Sequence, residues 1–375
     1  MKRGRLMAGL GIGGVIAATV IATATVCTTS GCSTLGYYAQ SARGHVELVA
    51  AARPVADWLA DPSTPAPLKA RLELSQRIRD FAVAELGEPD NASYRRYADL
   101  QRPAAVWNVV AAPELSLDLE TWCFAVVGCV GYRGYYRHAD ADAEAATLRT
   151  AGLEAIVYPV PAYSTLGKLP GRWFADPLLN TFIQYPEGEL ARLVFHELAH
   201  QVAFAPGDTL FNESFATAVE RIGGMRWLAA NGSDAARAEQ ARADARRADF
   251  RALTQRYRER LLALYAGSDS DAAKRDAKAA AFASMRADHA AMKAGPWNGY
   301  AGYDGWFASA NNASLGVLAA YNELVPDFER LFDREGRDFP RFYGEVRRLA
   351  ALPLPERRRA LSAGARPATA STNLP

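Results

Sequence analysis

Apolar residues recur at helical spacing between His45 and Leu86: Val49, Val55, Trp58 and Leu59, then Leu72, Leu74, Ile78, Phe81 and Leu86. Positions three and four apart share a helix face, so the pattern predicts two or three helices, broken at Pro62-Ser63-Thr64-Pro65-Ala66-Pro67. From Ala104 to Tyr136 the pattern changes. Ala105 to Ala111 and Trp122 to Val127 are rich in aromatic and β-branched residues between turn signals, which predicts strands, and Gly131 to Tyr136 predicts an edge strand or loop. A helix from Asp140 to Ala151 and a strand from Ala155 to Val160 follow. Beyond a Gly- and Pro-rich stretch from Tyr163 to Pro177, a nearly unbroken apolar run around Leu190 to Phe204 predicts a buried helix, and Asn212 to Leu228 a second. Asp234 to Tyr265 and Asp271 to Lys293 mix Ala with both signs of charge around Gly267-Ser268-Asp269-Ser270, the pattern of a charged helical hairpin with a solvated surface. Ala310 to Leu324 and Asp338 to Ala350 predict two more helices, and the Arg-, Pro- and Ala-rich chain from Pro353 a disordered tail. The sum is an α+β chain, predominantly helical, with a small mixed or antiparallel sheet beside the buried helix. Its segments run 32–103 (N-terminal helical region), 104–230 (core), 231–295 (hairpin), 296–352 (C-terminal helices packing on the core) and 353–375 (tail), after a leader over 1–31.

Composition alters this picture mainly at the N-terminus. Half of the 375 residues are hydrophobic and 22% are charged, a globular balance. Three of the positive charges behind the net +2 are Lys2, Arg3 and Arg5, so the body is close to neutral and nothing in it argues for a nucleic-acid partner. The uncharged run Met7 to Val26 ends in Thr29-Ser30-Gly31-Cys32, which reads as a basic n-region, an apolar h-region and a small-residue cleavage site. Gly9, Gly11, Gly13 and Gly14 follow no strand, so they are no dinucleotide loop. Ser30-Gly31-Cys32 resembles the lipobox of bacterial lipoproteins, which implies a signal peptide over 1–31, a lipidated Cys32 and attachment to a membrane of the cell envelope. By the same resemblance Ser33 favours the outer membrane, facing the periplasm, in a Gram-negative cell. An uncleaved single-pass anchor and a freely secreted body are the alternatives, and all three export the domain. In an oxidising compartment Cys123 and Cys129 form one disulfide or stay as two small buried hydrophobes.

The chemistry concentrates in His196-Glu197-Leu198-Ala199-His200. On a helix, positions i and i+4 share a face, so both imidazoles point at one metal while Glu197 flanks the metal's water. With 5 His and 41 acidic residues in the chain, a His-acid-x-x-His arises by chance roughly 0.007 times. Two imidazoles and a carboxylate on so apolar a helix are costly without a partner. A catalytic zinc site needs a third protein ligand and one open position. Glu213, which opens the second helix, is the leading candidate. Glu220, two turns further along nearly the same face, serves either as that ligand or as a carboxylate orienting a histidine, and Asp208 in the intervening loop is the outsider.

His196-Glu197-x-x-His200 followed by Asn212-Glu213-Ser214-Phe215-Ala216 resembles the gluzincin metallopeptidases, whose large aminopeptidase branch takes a glutamate ligand from a similar Asn-Glu-Gly-Phe-Ala segment. More closely, the chain from Cys32 to Leu349 resembles a family of predicted bacterial zinc aminopeptidases, often lipoproteins. The matching segments are Gly31 to Tyr38, Gly128 to Tyr135, Tyr163 to Gly167 and Asn311 to Leu315, with Lys168 to Arg172 looking like an insertion. The resemblance implies a zincin-like metallopeptidase with one zinc per chain and a peptide substrate. Zinc brings the pKa of its bound water to about 7, Glu197 accepts the proton and passes it to the departing amine, and a downstream tyrosine, Tyr303 or Tyr321, steadies the oxyanion. The edge segment Cys129 to Tyr136 is the candidate for pairing with an extended peptide.

Aminopeptidase action needs acidic groups that hold the substrate's α-ammonium. The Gly-x-Met-Glu-Asn segment of the large branch is absent, and Glu114, Glu120 and Asp176 are unranked candidates. A zinc endopeptidase of the cell envelope therefore stands as one alternative. A non-catalytic envelope lipoprotein, its structural zinc closed by His138 or His289, stands as another.

Overall fold

A computed structural model describes residues 32–124, 128–162 and 175–363. The leader, the motif Tyr163 to Gly167, the insertion at Lys168 to Arg172 and the last twelve residues lie outside the described residues. Residues 1–50 form a unit of their own, of which helix α1 (Cys32–Ala51) is described. No helix among the described residues is long and apolar enough to cross a membrane. The second unit runs from Ala51 onward.

The sheet content is small, as the scattered strand signals predict. β1 (Arg53–Pro54) pairs antiparallel with β2 (Arg96–Ala98), which pairs parallel with β8 (Leu178–Leu179). The larger sheet is antiparallel, with β3 (Val106–Pro113) between β6 (Arg133–Tyr135) and β7 (Leu153–Val160). β6 is thus an edge strand. β4 (Trp122–Phe124) and β5 (Gly128–Val130) form a separate ribbon in which Cys123 and Cys129 stand opposite and are joined by a disulfide. Gly128 takes φ +77°, and a Cβ there would lie 2.7 Å from the backbone nitrogen of Gly207. Only glycine brings this ribbon against the loop between the two helices that carry the chemistry.

The helices follow the apolar spacing closely. α2 (Val55–Ala60) and α3 (Ala66–Ala84) flank the Pro-rich break, and α4 (His138–Thr150) packs on the larger sheet. α5 (Glu187–Val202) and α6 (Thr209–Asn231) form the central pair, with Val194, Phe195 and Leu198 of α5 and Phe215, Ala218 and Val219 of α6 at 0% exposure. The charged hairpin is α7 (Asp234–Ala266) and α8 (Asp271–Ala294). It is less solvated than its composition implies. Phe250, Leu253, Tyr257 and Leu261 meet Phe282 and Met285 in a core shared with Trp297 and Phe307. α9 (Asp304–Ser309), α10 (Asn312–Asn322), α11 (Val325–Arg334) and α12 (Phe339–Ala350) complete the body. Asn311 and Asn312, part of the family-like segment, are structural. Asn311 caps α10 in a capping box, and the buried Asn312 donates to the carbonyls of Pro113 and Glu114 at the end of β3.

The disordered tail expected from Pro353 needs correction. Leu354–Ala363 is helix α13, with Arg357 and Leu361 buried. Arg357 donates to Asp208 at 2.6 Å and to the carbonyls of Ala350 and Leu352, and its guanidinium lies over Phe211. A run of three arginines reads as solvated chain, but here one of them is the partner of a carboxylate only 2% exposed.

Candidate metal centre

Both central helices are largely buried, and each carries a half-buried stripe that faces the other. On α5 this stripe includes Glu189, Leu193, His196 and Glu197, and on α6 Glu213, Thr217, Glu220 and Arg221. These spacings of three and four residues place each set on one face. The stripes meet across the pair. His196 Nε2 lies 3.3 Å and His200 Nε2 3.8 Å from Glu213 Oε2, the two rings are 4.9 Å apart, and the three ligand atoms fall within 4.8 Å of one another. Glu220 Oε2 receives the opposite ring nitrogen of His196, Nδ1, at 2.9 Å. With Nδ1 bonded to Glu220, Nε2 is the nitrogen that a metal would take in place of a proton, the arrangement in which carboxylates orient metal-binding histidines. His200 Nδ1 is buried without a hydrogen-bond partner. Two imidazole nitrogens and one carboxylate oxygen form a donor set that fits zinc.

The turn between the helices is built to hold this register. The side-chain amide of Asn212 closes a pair of hydrogen bonds with Ala205, Oδ1 accepting from its N–H at 2.7 Å and Nδ2 donating to its carbonyl at 2.9 Å. That clamp sits one residue before Glu213. Asp208 caps α6 by accepting from the Phe211 N–H while paired to Arg357 and Arg358, so it is not a ligand here.

Electrostatics follow from burial. Burial pushes the Glu197 carboxyl up to about 7, the charge of His196 opposing and those of Glu213, Asp176 and Glu220 adding. Burial lowers His200 to about 4. For His196 burial also works against the charged form, but the bonds to Glu213 and Glu220 outweigh it and raise the ring well above its ordinary value. Glu213 is held below the usual carboxylate range because the two histidines outweigh its burial. Replacing Glu220 by Ala leaves His196 Nδ1 without its carboxylate, and metal affinity is expected to fall by about 10- to 100-fold, measurable by competition with a chromogenic chelator. Unchanged affinity would mean that Glu220 does not tune the site.

A family model described as putative aminopeptidase matches residues 36–361. The chain belongs to that family. No curated protein and no solved structure matches it. Membership in the aminopeptidase family supports a peptidase, and it gives the other predicted residues a reference. Among the described residues no fourth His, Cys, Asp or Glu joins the three ligand candidates. His138 is exposed and lies against the Trp107 ring at 4.0 Å, and His289 stacks on Phe307 at 4.1 Å, so neither closes the site. Tyr303 also lies elsewhere. It stacks on Phe250 at 4.4 Å within the aromatic core between the hairpin and α9, where an apolar surface claims the ring. The side chain of Tyr321 falls outside the described residues. Of the acidic candidates, Glu114 pairs with Arg275, and Asp176 is 1% exposed and accepts from Gln201, the neighbour of His200.

Sequence reasoning missed two contributors in this aminopeptidase-family site. The first is the loop 88–94. The buried guanidinium of Arg79 donates to the carbonyls of Pro89, Asn91 and Ser93, and Asn91 and Ser93 in turn hold Gln201. The loop carries Tyr94, which is 1% exposed, held at φ +62°, and near enough to Glu197 for its charge to act on the phenol. Such backbone strain is retained where surrounding structure over-determines it. The available signal was Arg79 itself, a charge on the apolar stripe of α3 with Leu72, Ser75 and Ala82. The second is Tyr158 on β7. Its oxygen accepts from Asn108 Nδ2 at 3.2 Å, its O–H has no acceptor among the described residues, and Glu213 is within electrostatic reach. A strand tyrosine gives no sequence signal of its own.

Proposed function

We propose that the chain is a zinc-dependent aminopeptidase that binds its metal through His196, His200 and Glu213 and uses Glu197 as general base. The convergence of two ring nitrogens and one carboxylate oxygen, on half-buried stripes of two largely buried helices, is the observation that carries this reading. A zinc ion held there supplies a Lewis acid that makes water nucleophilic near neutral pH and polarises a peptide carbonyl.

The chain's own groups supply the rest. Glu197 accepts the proton of the attacking water on a carboxylate oxygen and returns it to the departing amine. Glu220 keeps the His196 proton on Nδ1 and the ring in place. Tyr158, rather than Tyr303, offers the O–H for the developing oxyanion, because Asn108 occupies its lone pair and leaves its proton to donate.

The test uses purified full-length protein, assayed for metal by mass spectrometry and incubated with matched free and N-acetylated peptides. The expected outcome is about one zinc per chain and stepwise loss of residues from free N-termini only. Internal cuts in acetylated peptides would replace the exopeptidase with an endopeptidase, and no cleavage of either set would remove the enzyme reading. We also propose that Cys32 carries a lipid anchor to the cell envelope. Metabolic labelling with a fatty-acid analogue is expected to mark the protein and to be lost in Cys32→Ser; equal labelling of both would place the attachment elsewhere.

A further inference from the structure

A cavity of about 530 Å³ opens between α7 and α10, outside the metal centre. One wall is a stripe of α7 with Phe250, Arg251, Thr254 and Arg258, and the other a stripe of α10 with Leu315 and Leu318, closed at its end by Glu323. Each stripe repeats at three or four residues, so both helices turn one continuous face to the space.

The arginines distinguish this cavity from a packing defect. Arg251 and Arg258 are both half-buried, and neither has a carboxylate within 4 Å or a hydrogen-bond acceptor among the described residues. The Nε of Arg258 is fully buried without a partner. Three of the six other arginines of α7 pair with carboxylates: Arg237 with Asp234, Arg247 with Glu189 and Asp244, and Arg256 with Asp288. Two unpaired guanidiniums against one carboxylate, Glu323, leave a net positive charge beside an apolar wall of Phe250, Leu315 and Leu318. Burial, with the positive charges of Arg221 and Arg247, disfavours the charged form of Arg251 more than the charge of Asp244 supports it. A guanidinium fork suits a carboxylate or a phosphate, and the apolar wall of Phe250, Leu315 and Leu318 beside it favours a carboxylate borne on an apolar group.

The cavity also adjoins the catalytic helix. Leu324, the residue after Glu323, donates its N–H to Ser214 Oγ at 3.3 Å, one residue from Glu213. Arg221, on the half-buried stripe of α6 two turns beyond Glu213, acts electrostatically on Arg251. α10, which forms one wall of the cavity, thus packs against α6, the helix that carries Glu213.

We propose that this cavity binds the free C-terminal carboxylate and adjoining apolar side chain of a short peptide substrate, with Arg251 and Arg258 as the carboxylate-binding residues. The assignment of the ligand as substrate rests on the peptidase reading; the acid site itself does not. Short peptides that end in an apolar residue are then favoured over long chains and over C-terminal amides.

Two measurements on the full-length protein test this. Calorimetric titration with N-acetyl-leucine and with N-acetyl-leucine amide is expected to show binding of the acid about tenfold or more tighter than the amide, with the difference reduced in Arg251→Gln and in Arg258→Gln. Cleavage of a short leucine-ended peptide is expected to favour the free acid over its C-amide, chiefly through KM, and each substitution is expected to narrow that ratio. Equal binding of acid and amide, or selectivity untouched by either substitution, would overturn the site. Acid-selective binding that depends on both arginines, with no peptide cleaved, would uphold the acid site and overturn both the peptidase reading and the substrate assignment. Cleavage indifferent to the C-terminus, with acid-selective binding retained, would overturn the substrate assignment alone.

Discussion

Glu197→Gln is expected to lose turnover by about 10²- to 10⁴-fold while its zinc content stays equal to that of the wild type. The separation of effects is the informative part. Glu197 shares α5 with both histidines but is not among the three groups whose ligand atoms converge. Its amide keeps the size of the side chain and removes only the ability to accept and return a proton. Kinetics on a free peptide, read beside metal analysis of the same preparation, provide the check. Wild-type activity in the variant would remove Glu197 as base. Loss of zinc along with activity would make Glu197 part of the metal's own shell.

The largest effect on stability is expected far from the zinc ligands, at Arg357→Leu. The guanidinium is 7% exposed, its partner Asp208 is 2% exposed, and the pair joins α13 to the first turn of α6. Removing one member of a buried pair strands the other charge, which typically costs about 3–5 kcal/mol. Arg358, which also reaches Asp208, replaces part of the loss, so the lower end of that range is expected. A urea titration should show the midpoint fall with little change in slope. An unchanged midpoint would mean that the chain from Pro353 onward contributes nothing to the fold, as its composition implies. Because Asp208 caps the helix that carries Glu213, the same variant is expected to loosen the metal site.

The contrast between these two residues shows where the sequence was legible. The pairing of His196 with His200 is a local matter: four positions on a helix fix two side chains on one face whatever the rest of the molecule does. The same holds for the succession of helices and for the few, short strands, since a period near 3.6 or 2 is written into neighbouring residues. Arg357 has no such signature. Among Arg358 and Arg359 it looks solvated, and only a carboxylate about 150 positions away makes it a core residue.

The site divides in the same way. His196, Glu197, His200 and the Asn212-Glu213 pair are visible as a motif because the metal chemistry needs them at fixed helical offsets. Glu220 could be placed on the right face, but whether it served as ligand or as support depended on the angle between α5 and α6. Tyr303 and Tyr158 illustrate the limit. One lies downstream of the ligands and packs in an aromatic core; the other lies on a strand upstream of them and comes within reach of Glu213. The sequence by itself determined the periodic helices, the small sheets and the two-histidine motif, since each depends on spacing within a few turns. The tertiary structure alone decided the buried tail, the clamp of loop 88–94 on Gln201, the tyrosine near the ligands and the unpaired arginines, since each depends on which distant segments the core brings into contact.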